Sequence, residues 1–422
     1  MDALIIEGPA RLKGSVRVSG SKNTALPLLF ASLLFDQEVR FENVPRLWDI
    51  ETTLSLLQSM GTESHWDKAT GQVSIFPQVR EKVAPYEWVK KMRAGILALG
   101  PLVAKYGEAR VSLPGGCAIG ARPVNFHIDA LKQMGVSVEV EGGYIHARVK
   151  SRLTGARIVF PQVTVTGTEN ILVVAACAEG VTTIENAAQE PEVIALGQVL
   201  LAAGAEIEGL GTATLRIKGG TLKVPEAPIV IPPDRIEAGT WIAAALVTRS
   251  ELTITGCDPA VLASIIEPFR AMGAKIETRQ DLNELFVEPC SVYQPIQVET
   301  QPYPGFATDM QAQMLTTMCM ASGRSTIRET IFENRFMHVA ELRRLGAQIE
   351  THGNLAVVDG PSFFQGAPLM ATDLRASASL VLAGLCAEGS TKISRIYHLD
   401  RGYQRLDEKL IGLGARIQRI SE

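Results

Sequence analysis

Cys117 stands in the run Leu113-Pro114-Gly115-Gly116-Cys117-Ala118-Ile119-Gly120-Ala121-Arg122-Pro123. Three glycines around a thiol predict a loop rather than core. A guanidinium follows five residues later, and Pro123 is well placed to open a helix. Both features favour the thiolate, so Cys117 is a candidate nucleophile or proton donor; the plain alternative is a fortuitous loop cysteine. Cys177, Cys257, Cys290, Cys319 and Cys386 are scattered, form no Cys-x-x-Cys pair and lie mostly in apolar runs, as free buried thiols of a reducing compartment do.

A second chemical signal is charge of unexpected sign at helix starts. Apolar helices are predicted to begin at Lys22-Asn23, Arg93, Glu169-Asn170, Asp234-Arg235, Asp309 and Asp373-Leu374-Arg375. An acid or Asn suits such a place, because it caps free N-H groups at the positive end of the helix dipole. Lys22, Arg93, Arg235 and Arg375 do not, and each costs from a few tenths to about 1 kcal/mol unless an anion lies between it and the helix. A second series, Arg46, Arg122, Arg335 and Arg401, precedes the later helices, where the third and fourth repeats carry Glu190-Pro191 and Asp258-Pro259 instead. Any one of these cations can be a surface residue or pair with a neighbouring carboxylate. Their recurrence predicts a site for a ligand with several negative charges, and Arg in most places favours bidentate carboxylate or phosphate recognition.

The elements that must position these groups recur. A phrase of the form Leu-x-x-(hydrophobic)-Gly closes at Gly61, Gly135, Gly204, Gly273, Gly346 and Gly414, with gaps of 74, 69, 69, 73 and 68 residues. Each phrase reads as the end of an amphipathic helix capped by Gly in a left-handed conformation and followed by a strand. A more apolar helix comes earlier in each unit, as in 170–178, 236–247, 310–321 and 374–387, so a unit reads roughly β-α-β-α-β-β. The fold class is therefore α/β by repetition, with the apolar helices inside and the sheets outside. The last unit is one strand pair short, while strand candidates at Leu4-Ile5-Ile6-Glu7 and Val16-Arg17-Val18 are unclaimed; the N-terminus is expected to complete the sixth repeat. Six repeats then divide into two three-repeat domains, 22–232 carrying the Cys117 loop, and 1–21 with 233–422 carrying Asp309, Arg335, Arg375 and Arg401.

Composition narrows the function classes. The chain has 422 residues, 46% hydrophobic and 20% charged, with Lys+Arg 41 against Asp+Glu 45. That balance, without any basic run, argues against a nucleic-acid or acidic-membrane binder. Acids at the N-terminus do not fit a signal peptide, and the longest apolar stretch, 25–35, is far shorter than the roughly 20 residues needed to span a bilayer, so a cytoplasmic location is expected. There is no Walker loop, dinucleotide fingerprint or His-Glu-x-x-His, and the six histidines are dispersed; no metal or cofactor is expected.

Six separated motifs together resemble the enolpyruvyl transferase family, in its branch acting on UDP-N-acetylglucosamine. They are Gly20-Ser21-Lys22-Asn23, Leu113 to Cys117, Thr308 to Gln313, Phe332 to Phe336, Thr372 to Ser377 and Asp400-Arg401-Gly402-Tyr403. The resemblance runs nearly end to end. It implies two inside-out α/β barrels with an active site in the interdomain cleft. The implied reaction transfers the enolpyruvyl group of phosphoenolpyruvate to the 3-hydroxyl of UDP-N-acetylglucosamine with release of phosphate, as the first committed step of peptidoglycan synthesis.

Residue by residue, the resemblance implies that Lys22, Arg122 and Arg401 hold the phosphate of phosphoenolpyruvate, that Arg335 and Arg375 clamp its carboxylate, and that Arg93 supports them. Asp309 resembles the base that takes the hydroxyl proton, and Cys117 the family cysteine that contributes to proton delivery and is alkylated by fosfomycin. Asp373 would orient neighbouring cations. Asn23, Arg93, Arg122, Pro123, Val124, Asn125, Phe126, Gln162, Val163, Thr164, Val165, Thr166, Asp309 and Ile331 match contacts to the sugar nucleotide. The chain departs from the pattern where many members have Asp-Leu in place of Asn125-Phe126 and some have Lys in place of Gln162, so the resemblance there implies backbone rather than side-chain contacts. Two rivals remain. The sister family acting on shikimate-3-phosphate lacks a cysteine in this glycine loop, and a catalytically silent nucleotide-sugar sensor would be expected to have lost Cys117, Asp309 or the cations.

Overall fold

The six phrase-closing glycines all adopt positive φ, from 91° at Gly135 to 109° at Gly204. A side chain is disfavoured there, so each glycine turns the chain out of its helix and into the next strand. In the computed structural model, which describes residues 2–115 and 124–422, these turns punctuate six four-stranded sheets. Cys117, Arg122 and Pro123 lie outside the described residues.

Every sheet has the same plan: an edge strand parallel to its neighbour, then two antiparallel strands. In one, Gln297–Glu299 runs parallel to Gly323–Arg328, which pairs antiparallel with Leu355–Gly360 and through it with Ile349–His352. The N-terminus serves two sheets. Asp2–Gly8 lies between Gly389–Ser394 and Arg416–Ser421, pairing antiparallel with both. Gly14–Arg17 is instead the parallel edge beside Leu252–Thr255 in the fourth repeat. The last repeat is therefore short by one strand, not a pair, and the second N-terminal strand belongs elsewhere.

The residues form two compact units, one comprising 2–19 and 233–422, the other 20–115 and 124–232. Each has its own apolar core. In the first, three helices pack against one another: Arg235–Val247, Gln311–Met318 and Leu374–Cys386. All residues from Ile236 to Val247 and from Arg375 to Leu385 are buried, as suits helices that are predominantly apolar all round. In the second unit the corresponding helices are Lys22–Ala31, Leu99–Tyr106 and Val165–Ala175.

Two helix starts differ from the sequence reading. The third-repeat helix begins at Val165, capped by the Thr164 hydroxyl accepting from the Gly167 amide, so Glu169 and Asn170 lie a turn inside it and are buried. Thr164 is a competent cap, and the Thr-Gly-Thr run hid the start. Arg93 opens a 3-10 turn, Arg93–Ala98, which leads into the helix proper.

Candidate active site

In the first unit the side chains meet around Asp309. This residue sits in the 3-10 turn Thr308–Met310, just ahead of the buried helix Gln311–Met318. Its Oδ1 accepts from Nη2 of Arg335 at 2.9 Å, and its Oδ2 accepts from Nε of Arg375 at 3.1 Å. Arg375 is 2% exposed; its N-H starts the helix Leu374–Cys386 under the Asp373 cap, and its Nη2 is 4.0 Å from Asp234 Oδ2. Burial works against the charge of Arg375, but Tyr403, Asp309 and Asp234 outweigh it and hold the guanidinium protonated. The Arg375 guanidinium carbon also lies 5.2 Å from the Tyr403 ring centroid. The Tyr403 hydroxyl is fixed by Gln313 Nε2, which donates to it at 3.0 Å, and by the Thr240 hydroxyl, also at 3.0 Å. Three buried helices thus brace one cation.

Around these groups the polar atoms are under-used. Nη1 and Nη2 of Arg375, Oδ2 of Asp373 and both ring nitrogens of His338 are buried without a hydrogen-bond partner among the described residues. Burial pushes His338 down to about 4, opposed by the Asp373 carboxylate and aided by the Arg335 guanidinium, so the ring is neutral near pH 7. His398 is also lowered, by burial first and then by Arg395 and Arg401. Arg401 follows the short helix Tyr397–Asp400 and is half-buried, and Ile331 is half-buried with its amide donating to Glu329 Oε1 at 2.8 Å. Guanidinium donors left without partners beside a compensated carboxylate are an anion-binding arrangement.

In the second unit, Lys22 and Asn23 open the helix Lys22–Ala31 under the Ser21 cap. Lys22 Nζ is 3.5 Å from Oδ2 of Asp49, a buried acid in the first turn of Trp48–Ser59. Arg93 is half-buried and close enough to His127 to depress its basicity. Val124 and Phe126 are half-buried, Asn125 and Gln162 exposed, and Val163, Thr164, Val165 and Thr166 form a half-buried run into the helix Val165–Ala175. Arg46 is exposed. Glu169 is buried and its pKa is well above the carboxylate range, through burial and then the charges of Glu192 and Glu190.

The structure therefore brings together Asp309, Arg335, Arg375 and Asp373, and separately Lys22 with Asp49. Part of the charge anomaly read from the sequence is answered inside the protein, because Asp309, Asp234 and Asp49 lie beside three of the cations. Sequence reasoning missed Asp234 and Asp49 as partners, and it gave Tyr403, His127 and Asn170 no role of their own. Asp234 was legible as a helix cap next to Arg235; nothing in the local sequence marked Asp49.

The five described cysteines are free thiols with raised pKa values, Cys177 and Cys257 to about 11 and Cys386 to about 12, in each case mainly through burial. They are poor nucleophiles at neutral pH. Among the described residues no group of His, Cys, Asp and Glu has the geometry of a metal site, and no helix is long and apolar enough to cross a membrane.

Six repeated sheets around buried helices, with guanidiniums gathered on a carboxylate at helix starts, define an enolpyruvyl-transferase-type enzyme. The profile of the EPSP synthase family (3-phosphoshikimate 1-carboxyvinyltransferase) matches residues 6–410. The enolpyruvyl transferase NikO from Streptomyces tendae superposes with a TM-score of 0.88 at 27% identity, over 100% of this chain and 99% of that one. EPSP synthase from Acinetobacter baumannii does so at 0.77 and 18% identity, which speaks for the fold alone. Two curated relatives are named UDP-N-acetylglucosamine 1-carboxyvinyltransferase. The one from Desulfovibrio desulfuricans is 53% identical over 99% of both chains, and that from Aeromonas hydrophila 51% identical over 100% of both. The chain belongs to the UDP-N-acetylglucosamine 1-carboxyvinyltransferase family and is a transferase.

Proposed function

We propose that this enzyme moves the enolpyruvyl group of phosphoenolpyruvate onto the 3-hydroxyl of UDP-N-acetylglucosamine, releasing phosphate, and so commits the sugar to peptidoglycan synthesis. The observation that supports this reading is Asp309 held between Arg335 and Arg375. The Arg375 guanidinium, with Nη1 and Nη2 unpartnered, and the neighbouring Arg335 suit the carboxylate of phosphoenolpyruvate, and a carboxylate between them suits a hydroxyl proton.

The chemistry is addition followed by elimination. The sugar oxygen bonds to C2 of phosphoenolpyruvate as its proton passes to Asp309, while a proton is delivered to the methylene carbon, C3. The tetrahedral adduct then loses a proton from C3 and its C2-O bond to phosphate, restoring the double bond. Cys117 contributes the C3 proton, and Lys22, Arg122 and Arg401 carry the phosphate as its charge grows on departure. Arg93 supports them, and Asp373 orients Arg375 through the helix cap. Asn23, Val124, Asn125, Phe126, the run Gln162 to Thr166 and Ile331, together with Arg122 and Pro123, hold the nucleotide, with backbone contacts replacing side-chain ones at Asn125, Phe126 and Gln162. No cofactor or metal takes part. The same thiol is the point of fosfomycin alkylation, and the enzyme works in the cytoplasm in support of wall growth and division.

Incubating the protein with both substrates and analysing the product by mass spectrometry tests this. An enolpyruvyl ether of UDP-N-acetylglucosamine is expected, and recovery of unchanged sugar nucleotide from active preparations refutes it.

A further inference from the structure

One chain of hydrogen bonds in the second unit has its direction set entirely by the backbone. The amide of Gly100 donates to Oδ1 of Asn170 at 2.9 Å, so that atom must be the carbonyl oxygen. Nδ2 of Asn170 then donates to the carbonyl of Ile96 at 3.1 Å. The same Nδ2 lies 2.9 Å from Nδ1 of His127. An NH2 group has no lone pair to offer, so Nδ1 must accept, which leaves the ring neutral with its proton on Nε2. Nε2 is 3.5 Å from the Thr166 hydroxyl, a long contact with the imidazole N-H directed at the threonine oxygen. Asn170 and His127 are 2% and 3% exposed, so water does not offer either an alternative partner.

The chain ends at a half-buried side chain in the first turn of Val165–Ala175, where the amides of Val165 and Thr166 have no partner among the described residues. With one lone pair of Thr166 Oγ1 facing the Nε2-H of His127, its own O-H is left to donate to another partner. We infer that Asn170 and His127 are positioning residues that fix the Thr166 hydroxyl as a hydrogen-bond donor to an acceptor oxygen of the bound sugar nucleotide. The inference rests on the proposed function, in which the stretch Gln162 to Thr166 contacts UDP-N-acetylglucosamine. Burial and the Arg93 charge act in the same sense, holding His127 at about 4 so that no second ring proton competes at Nδ1.

Two measurements test it on the full-length enzyme. Proton-coupled 15N spectra at pH 7 should show His127 protonated at Nε2 and bare at Nδ1; the opposite tautomer or an imidazolium overturns the inference. In steady-state kinetics, Thr166→Val and His127→Phe should each raise KM for UDP-N-acetylglucosamine about five- to tenfold, the worth of one hydrogen bond. KM for phosphoenolpyruvate and kcat should each stay within about twofold, the mark of lost nucleotide binding rather than lost catalysis. Combining the two should be no worse than Thr166→Val alone, because each removes the same donor. Multiplying effects in the double variant, or an unchanged KM in Thr166→Val, overturn the inference, and the second result holds even if His127→Phe fails to fold. Wild-type enzyme that does not turn over UDP-N-acetylglucosamine would break the functional reading instead, with the spectra still deciding the tautomer.

Discussion

Arg375 donates from Nε to Oδ2 of Asp309 at 3.1 Å, although 66 residues separate the two in sequence. The other carboxylate oxygen of Asp309 is occupied by Arg335, so one acid contacts two guanidiniums that are almost wholly buried, with Asp234 adding a longer contact to Arg375. Replacing Asp309 by Asn keeps the shape and removes the charge. The expected loss of unfolding free energy is about 2 to 4 kcal/mol, below the most a buried pair can lose because Asp309 is partly exposed. Turnover should fall at least about a hundredfold if Asp309 is the base. Urea unfolding and phosphate release check the two halves independently.

The same arrangement predicts how anions act. Inorganic phosphate should raise the melting temperature of Asp309→Asn more than that of the wild type, since it restores a negative charge beside Arg335 and Arg375. Differential scanning calorimetry over a phosphate series measures this; equal shifts would mean that the guanidiniums do not form the anion site.

His127 makes stability depend on pH in a defined window. Its pKa is about 4 in the folded protein and ordinarily 6.5. Between those values the unfolded chain binds the proton and the folded one does not, so stability is full above pH 6.5 and drains as pH falls toward 4. The loss amounts to about 3 kcal/mol. His338 acts in the same sense over the same range. His127→Gln, compared with wild type by urea unfolding at pH 7 and pH 4.5, should lose less stability on acidification.

The glycine caps allow a test of the repeat architecture. Gly204 has φ +109°, and a methyl group added there would meet nothing closer than the Thr221 carbonyl at 3.7 Å. Gly204→Ala should therefore cost backbone strain alone, about 1 to 2 kcal/mol, without a packing defect. A neutral result in thermal unfolding would show that the turn can relax.

Cys117→Ser should nearly abolish turnover at neutral pH, because a hydroxyl does not ionise there. Cys117→Asp, still acidic, should keep appreciable activity while losing the mass increment that fosfomycin adds to the wild-type chain. Full activity in the serine variant would remove the thiol from the proton path.

Much of this was legible because repetition amplifies weak signals. One Leu-x-x-Met-Gly phrase is ambiguous, but six at nearly even spacing fixed the helix ends and the strands after them. The buried helices were equally readable, since residues 236–247 are apolar on nearly every face, with Glu237 the one charge among them. Where local rules compete, the reading slipped. Thr164 and Glu169 could each cap a helix, and only tertiary packing selects the first. Gly14–Arg17 could join any sheet edge, and its pairing with Leu252–Thr255 is a contact across more than two hundred residues. The acids beside Lys22 and Arg375 come from other helices, so the charge anomaly looked larger in one dimension than it is in space. The link from Asn170 to His127 spans 43 residues and has no motif.

Which alcohol accepts the enolpyruvyl group separates this enzyme from its shikimate-3-phosphate-using relatives. Phosphate release from phosphoenolpyruvate, followed in parallel with UDP-N-acetylglucosamine and with shikimate-3-phosphate, tests it most directly. Release that depends on the sugar nucleotide and is absent with shikimate-3-phosphate is the predicted result; release with shikimate-3-phosphate, or with neither acceptor, contradicts the account.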